Sequence, residues 1–284
     1  MILNYGIPND SITLADALRE KDQTVLIVIV DNFSSQNNLD RLREFVSERD
    51  SSFFLIESAT NCGFGRGNNL GLSKLFDELL CDFSLVLNPD VSLESDFDLD
   101  CIRSLGVGQE ILFTGVVNQH GLKLSCFGFN PLFFKSSPIN FSQGSPSKAT
   151  YISGCCFGMS KLMWSRSRGF SESYFLYFEE LDFIYRYKKH FGIFPMIKVL
   201  NNIHITHTEG GTTGASPNKA ISSAFVDYWS SKSRLRFAKT LLPKYVLSAI
   251  FYNILLAGLM IYHRRFINAK NIFRGSIDEL FREK

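Results

Sequence analysis

The sequence predicts an α/β fold: a mixed, mostly parallel sheet flanked by helices, with a basic helical tail at the C-terminal end. Two patterns carry this reading. Short apolar, β-branched or aromatic runs alternate with stretches of helical spacing, the signature of βαβ units joined by right-handed crossovers. Three of the runs also end on polar clusters, Asp31-Asn32, Asn61-Cys62-Gly63 and Asn88-Pro89-Asp90, and in such sheets ligands bind beyond the carboxyl ends of the strands.

The elements follow in order. Residues 25–30 (VLIVIV) form an uninterrupted apolar run, suited to a strand covered on both faces. Leu39, Leu42, Phe45 and Val46 place a helix over 38–49. Residues 53–56 read as a second strand, 67–81 as a helix, and 83–87 as a third strand stopped by Asn88-Pro89-Asp90. The stretch 106–150 is rich in Gly, Ser, Pro and Phe, with short strands expected at 111–117 and 122–127. A new block opens at Tyr151, followed by a helix over 161–168 and another over 179–191, whose acidic start suits the helix dipole. Residues 196–200 and 203–206 read as edge strands, and beyond Pro217 the chain is expected to be helical.

Composition narrows the function. The 284 residues are 45% hydrophobic and 20% charged, which excludes a disordered, collagen-like or coiled-coil chain. The 27 phenylalanines predict an aromatic core. Six cysteines without a CxxC pair or metal-ligand spacing, and no secretory signal, imply reduced thiols and a cytosolic compartment. A net charge of +2 conceals a split: residues 1–227 carry 19 Lys/Arg against 25 Asp/Glu, whereas 228–284 carry 11 against 3. The tail is therefore expected to face something anionic.

Three motifs carry the chemistry. Gly63-Phe64-Gly65-Arg66-Gly67-Asn68-Asn69-Leu70-Gly71 is not a dinucleotide fingerprint, because Asn68 stands where the third glycine belongs, and a P-loop lysine is missing. A plain tight turn and a phosphate-approaching turn both fit it. Asp90, fixed beside Pro89, is a turn former or one ligand of a divalent cation whose second protein ligand is His207, with substrate phosphates completing the shell. Glu179-Glu180-Leu181-Asp182 is a solvated helix start or, given the apolar flank at 174–178, a partly dry pocket in which a carboxylate's pKa rises to suit a general base.

Taken in order, the motifs resemble the family-2 inverting glycosyltransferases of GT-A fold, a Rossmann-like nucleotide-diphospho-sugar transferase fold, and their bacterial rhamnosyltransferase-like branch in particular. The similarity spans roughly 1–240. It rests on Leu3-Asn4-Tyr5, Val30-Asp31-Asn32-x-Ser34, Asn61-x-Gly63-Phe64 through Gly71, Leu87-Asn88-Pro89-Asp90-Val91, Ser153-Gly154 with Gly169-Phe170, the 175–182 segment with Arg186, and His207-x-x-Gly210-x-Thr212. The resemblance implies a catalytic domain over 1–228 and a tail over 229–284. It implies Glu180 as catalytic base, and Asp31, Asn61, Gly63, Asn69, Asn88, Gly154, Glu179, Asp182 and Arg186 as substrate-binding residues. Asp90 and His207 would hold Mg²⁺ or Mn²⁺. The implied substrates are a nucleotide-diphosphate sugar, foremost dTDP-L-rhamnose, and a polyprenyl-diphosphate-linked saccharide of O-antigen or other surface polysaccharide. Asn88 stands where many relatives carry Asp, and Glu180 where Asp is commoner. A nucleotidyltransferase would require a basic glycine-rich loop near the N-terminus. An inactive binding module is expected to have lost Asp90, Glu180 or His207, and all three are present.

Residues 245–262 hold 18 uncharged positions, barely enough to span a bilayer, and basic residues flank both ends. A span would place one basic cluster outside, against the positive-inside rule. A helix lying in the membrane interface is the favoured expectation over a buried helix and a span, giving a protein peripheral on the cytoplasmic face of the membrane. Aliphatic rather than stacking residues lie between the tail's cations, so nucleic acid is not an expected partner.

Overall fold

Alternation inside one strand decides how the sheet is covered. Ile27 and Ile29 enter one apolar core, Val28 and Val30 the other, and all four are buried. A strand with two dry faces needs helices on both sides. The computed structural model describes residues 1–119, 121–139, 150–207 and 223–282.

The chain opens with β1 (Ile2–Asn4), α1 (Pro8–Lys21), β2 (Ile27–Asp31), α2 (Gln36–Ser47) and β3 (Phe53–Glu57). Next come α3 (Gly63–Ser73), prolonged by one π-type turn, β4 (Phe83–Leu87), β5 (Val91–Leu93) and α4 (Asp100–Arg103). The middle holds β6 (Leu112–Gln119), β7 (Leu122–Leu124), β8 (Cys126–Asn130), β9 (Lys135–Ile139), β10 (Thr150–Ile152) and β11 (Cys156–Ser160). Then follow α5 (Lys161–Ser167), α6 (Glu179–Phe191), β12 (Ile197–His207), α7 (Ala224–Leu241), α8 (Val246–Tyr262) and α9 (Phe266–Leu280).

Among the described residues the main sheet has the order β3-β2-β1-β4-β11-β6-β12-β5, with β7 beside β6. β1, β2, β3, β4, β6 and β12 run one way; β5, β7 and β11 run against them. β8, β9 and β10 form a small antiparallel sheet. Leu14, Leu18, Leu42 and Phe45 of α1 and α2 seal one face of the main sheet. Leu72, Phe76, Met163, Phe183 and Ile184, from α3 with its π-turn, α5 and α6, seal the other.

Several expectations are corrected. α1 was not foreseen, although Leu14, Ala15 and Leu18 share its buried face. The glycine-rich stretch is not a loop before a helix: Gly63–Ser73 is itself helical. Its glycines serve close packing. Gly63 has φ +83°, and a Cβ there would sit 2.2 Å from the Phe175 carbonyl oxygen. The two late edge strands are one bulged strand, β12, lying between β6 and β5 rather than at an edge. The expected boundary at 228/229 falls inside α7, whose Ser233 hydroxyl donates to the Leu176 carbonyl at 2.7 Å. Residues 210–214 of the late glycine-rich loop lie outside the described residues.

Candidate active site

The carboxyl ends of β1 and β2 form a closed polar network. Asn4 donates to Asp31 Oδ1 at 2.7 Å and to Ser34 Oγ at 3.0 Å, and accepts from Ser11 at 2.8 Å. The Ser34 N–H donates to Asp31 Oδ2 at 3.0 Å. Asn32 donates to Asn61 Oδ1 and to the Gly63 carbonyl and accepts from the Cys62 N–H, while Asn61 Oδ1 also accepts from the Gly63 N–H. Asn4, Asp31 and Asn32 are buried. Asp31 is held by Asn4 and Ser34, and Asn61 by Asn32 and Gly63, so the two sit in one network without touching. Phe33 follows with φ +70°, a costly conformation for a bulky residue.

Strand register brings Asp90 and His207 together. His207 pairs with Val91 across the antiparallel β5–β12 ladder, so the turn carrying Asp90 lies beside the end of β12. His207 Nε2 stands 3.2 Å from Asp90 Oδ1, which is buried without a hydrogen-bond partner among the described residues. Neighbouring ligands of an octahedral cation with ~2.1 Å bonds lie about 3 Å apart, so a buried carboxylate oxygen facing an imidazole nitrogen at this spacing would fit a divalent cation that displaces the imidazole proton. No group of three His, Cys, Asp or Glu suited to a metal occurs among the described residues, so substrate oxygens would have to complete the shell. Burial disfavours the His207 imidazolium, but Asp90 and Cys155 outweigh it and push the pKa up to about 10.

The turn Ser153-Gly154-Cys155 connects this pair to α6. The Cys155 thiol meets His207, and its carbonyl accepts from the Asn88 N–H at 3.0 Å. On the other side, a Cβ at Gly154 would lie 2.2 Å from Glu180 Oε1, so any side chain there would displace that carboxylate from its present position. Burial raises the Glu180 pKa, and backbone N–H groups of Glu180 and Gly154 partly offset the rise. Tyr177 and Phe178 approach α6 with φ of +71° and +73°, two consecutive left-handed residues that set the helix start.

The three acidic residues of α6 have different surroundings. Glu180 is the one partly exposed. Glu179 is 2% exposed, its Oε1 has no hydrogen-bond partner among the described residues, and burial, with the neighbouring Glu180 charge, raises its pKa well above the ordinary value. Asp182 is 3% exposed and paired with Arg186, which counters the rise that burial imposes. Arg186 also donates to the carbonyls of Ser167 and Gly169.

Asp182, Arg186 and Asn69, expected to bind substrate, make contacts with or beside the 167–170 turn. Asp182 and Arg186 anchor α6 to the 167–169 turn. Asn69 donates to the Phe170 carbonyl and accepts from its N–H, at 2.9 and 2.8 Å, fastening α3 to the same turn. Glu179 packs against Gly65 of α3. Cys155 was missed altogether; its position directly after Ser153-Gly154 was the available signal.

No protein-family model matches the chain. The low-salt glycan biosynthesis hexosyltransferase Agl10 of Haloferax volcanii is 28% identical over 189 residues, 62% of this chain and 58% of that relative's length. GalNAc-T7, solved with UDP, GalNAc and Mn²⁺, superposes with a TM-score of 0.59 at 10% identity, over 87% of this chain and 53% of that one. The mannosyltransferase PcManGT of Pyrobaculum calidifontis, solved with GDP-Man and Mn²⁺, gives 0.54 at 10% identity, over 100% and 86%. Residues 1–349 of S. aureus TarS give 0.52 at 12% identity, over 98% and 89%. At these identities the likeness establishes the architecture: the chain has the GT-A fold of glycosyltransferases.

Proposed function

We propose that this chain is an inverting, divalent-metal-dependent glycosyltransferase that moves a hexose from a nucleotide diphosphate to an acceptor hydroxyl. The observation that carries the reading is the Ser153-Gly154-Cys155 turn, which seats a base candidate on one side and a cation-binding pair on the other. The hexosyltransferase name of the Haloferax volcanii relative supports hexose transfer. The Mn²⁺ and nucleotide sugar in the titles of two structural neighbours support a metal and a nucleotide-linked donor. L-rhamnose from dTDP-L-rhamnose is the donor that the resemblance favours, and transfer of another hexose from a UDP-sugar is the alternative. The acceptor is a polyprenyl-diphosphate-linked saccharide of a surface polysaccharide, met at the cytoplasmic face of the membrane.

The network around Asp31 and Asn61 would cradle the nucleotide, with the free lone pairs of Asp31 available to a base N–H. Asp90 and His207 would hold the cation, whose chemistry when bound is to offset charge on the departing diphosphate. Glu180 takes the proton of the acceptor hydroxyl as that oxygen bonds to the anomeric carbon. The bond from that carbon to the diphosphate oxygen breaks on the opposite face, so configuration inverts and no covalent enzyme intermediate forms. A raised pKa suits Glu180 to this task near neutrality.

A thermal-shift panel of dTDP-, UDP- and GDP-sugars with and without Mn²⁺ or Mg²⁺ tests the reading. A donor at 100 times its Kd should add about 2.7 kcal/mol. No shift with any sugar nucleotide in the presence of metal would overturn it.

A further inference from the structure

A cleft of about 420 Å³ borders the site described above at Cys62 and lies between the 172–175 segment and the C-terminal helices. Phe175, Trp229, Lys232, Arg236, Asp278 and Arg282 are among its walls. Most of its charges are already matched. Arg236 is paired with Glu279, Glu172 lies 3.6 Å from Arg66, and Asp278 accepts from the Tyr228 hydroxyl at 2.6 Å with Arg274 3.9 Å away. Lys232 and Arg282 have no ion pair among the described residues; Lys232 donates to Tyr228 and lies over the Tyr228 and Trp229 rings. A lysine over aromatic rings and a nearby arginine, neither in an ion pair among the described residues, suit a phosphate group.

The rim adds a second observation. Phe273 and Ile277 on α9 and Phe281 just past its end recur every four residues and are 43%, 53% and 80% exposed, an apolar stripe next in sequence to the cleft residues Asp278 and Arg282. On α8, Leu247, Phe251, Ile254 and Leu255 are at least half exposed, while Asn253 is buried and accepts from Arg234. α8 thus buries Ala249, Asn253, Ala257 and Met260 and turns large apolar side chains outward. Arg264, in the turn between these helices, and Lys270 and Arg274 on α9 are exposed. Apolar faces bordered by cations suit a lipid surface rather than water.

From this continuity we infer that the cleft binds the phosphate or diphosphate head group of a lipid whose chain lies along α8 and α9. Phe175 stacks on Trp229 with ring centroids 4.4 Å apart and lies five residues before Glu180, so the head group would sit next to the segment that leads to the base. This deepens the acceptor reading and rests on it.

Flotation of the full chain with three vesicle types tests the inference: phosphatidylcholine alone, phosphatidylcholine with phosphatidylglycerol, and phosphatidylcholine with polyprenyl diphosphate at matched charge. The expected result is about tenfold preference for the diphosphate lipid over phosphatidylglycerol. Lys232→Gln with Arg282→Gln should abolish that preference and leave phosphatidylglycerol binding in place. Ile277→Asp with Phe281→Asp should weaken binding to all three. Equal binding to the two anionic vesicles, or a preference that survives the Gln pair, would overturn the inference. So would soluble inorganic diphosphate competing as well as the lipid, since the ligand would then be a free anion. Diphosphate-lipid preference without any sugar-nucleotide thermal shift would instead sink the transfer reading and leave the cleft assignment standing.

Discussion

The two halves of the site are built on opposite principles. Around β1 and β2, the side chains of Asn4, Asp31 and Asn32 are buried and bonded to one another or to backbone. Around β5, β12 and α6, Asp90 Oδ1 has only His207 beside it and Glu179 Oε1 has no hydrogen-bond partner among the described residues, and Tyr177-Phe178 is strained. A satisfied network is rigid and costs little to keep, whereas orphaned acceptors destabilise a fold unless a proton or a ligand meets them. The contrast separates a preformed cradle from a region held ready for chemistry.

The largest effects should come from the unsatisfied half. Asp90→Asn, or EDTA on the unaltered protein, should abolish transfer in a product assay; full activity under EDTA would mean a metal-free site. Glu180→Gln should lower turnover by about 10²–10⁴-fold, the usual worth of general-base catalysis, with donor Kd nearly unchanged. Near-normal turnover in that variant, with loss in Glu179→Gln, would move the base by one helical face.

The satisfied half should answer in stability. Asn4→Ala removes three buried hydrogen bonds, one of them to a carboxylate, and should cost about 3 kcal/mol in a urea titration. A change below about 1 kcal/mol would show that this network is not the rigid cradle described.

The smallest predicted effect has the opposite sign. Burial raises the Glu179 pKa, so between its unfolded value and its folded value the native state holds more protons than the unfolded chain. Stability then falls as pH rises through that window. Glu179→Gln should therefore stabilise the protein at neutral pH by about 1–2 kcal/mol, with the gain vanishing at low pH where the carboxyl is protonated in both states. Thermal melts at several pH values read this directly, and a destabilised variant at neutral pH would mean that Glu179 has a partner.

Much of this was legible from local pattern. The β2, β3 and β4 strands, α5 and the α6 start at Glu179 follow from hydrophobic period and turn chemistry within a few residues. The polar strand ends and the order of the motifs are likewise properties of the linear chain, and they were enough to predict the α/β class and to place Asp90, Glu180 and His207 among the candidates. What each side chain does there was not legible. Asn69, Asp182 and Arg186 read as binding residues; that they also fasten α3 and α6 to the 167–170 turn depends on helix rotation, because a 100° step along a helix separates a side chain that faces a cleft from one that faces the core. The meeting of Asp90 with His207, and of Gly154 with Glu180, depends on β12 lying beside β5 and on one turn connecting two elements. The tail's polarity follows the same logic: composition shows an apolar run between cations, but only packing of Asn253 against Arg234 decides which side of α8 faces out. Propensity and periodicity act over a few residues, while sheet order, helix rotation and long-range register are set by burial over the whole chain, and these decided which of the candidates meet.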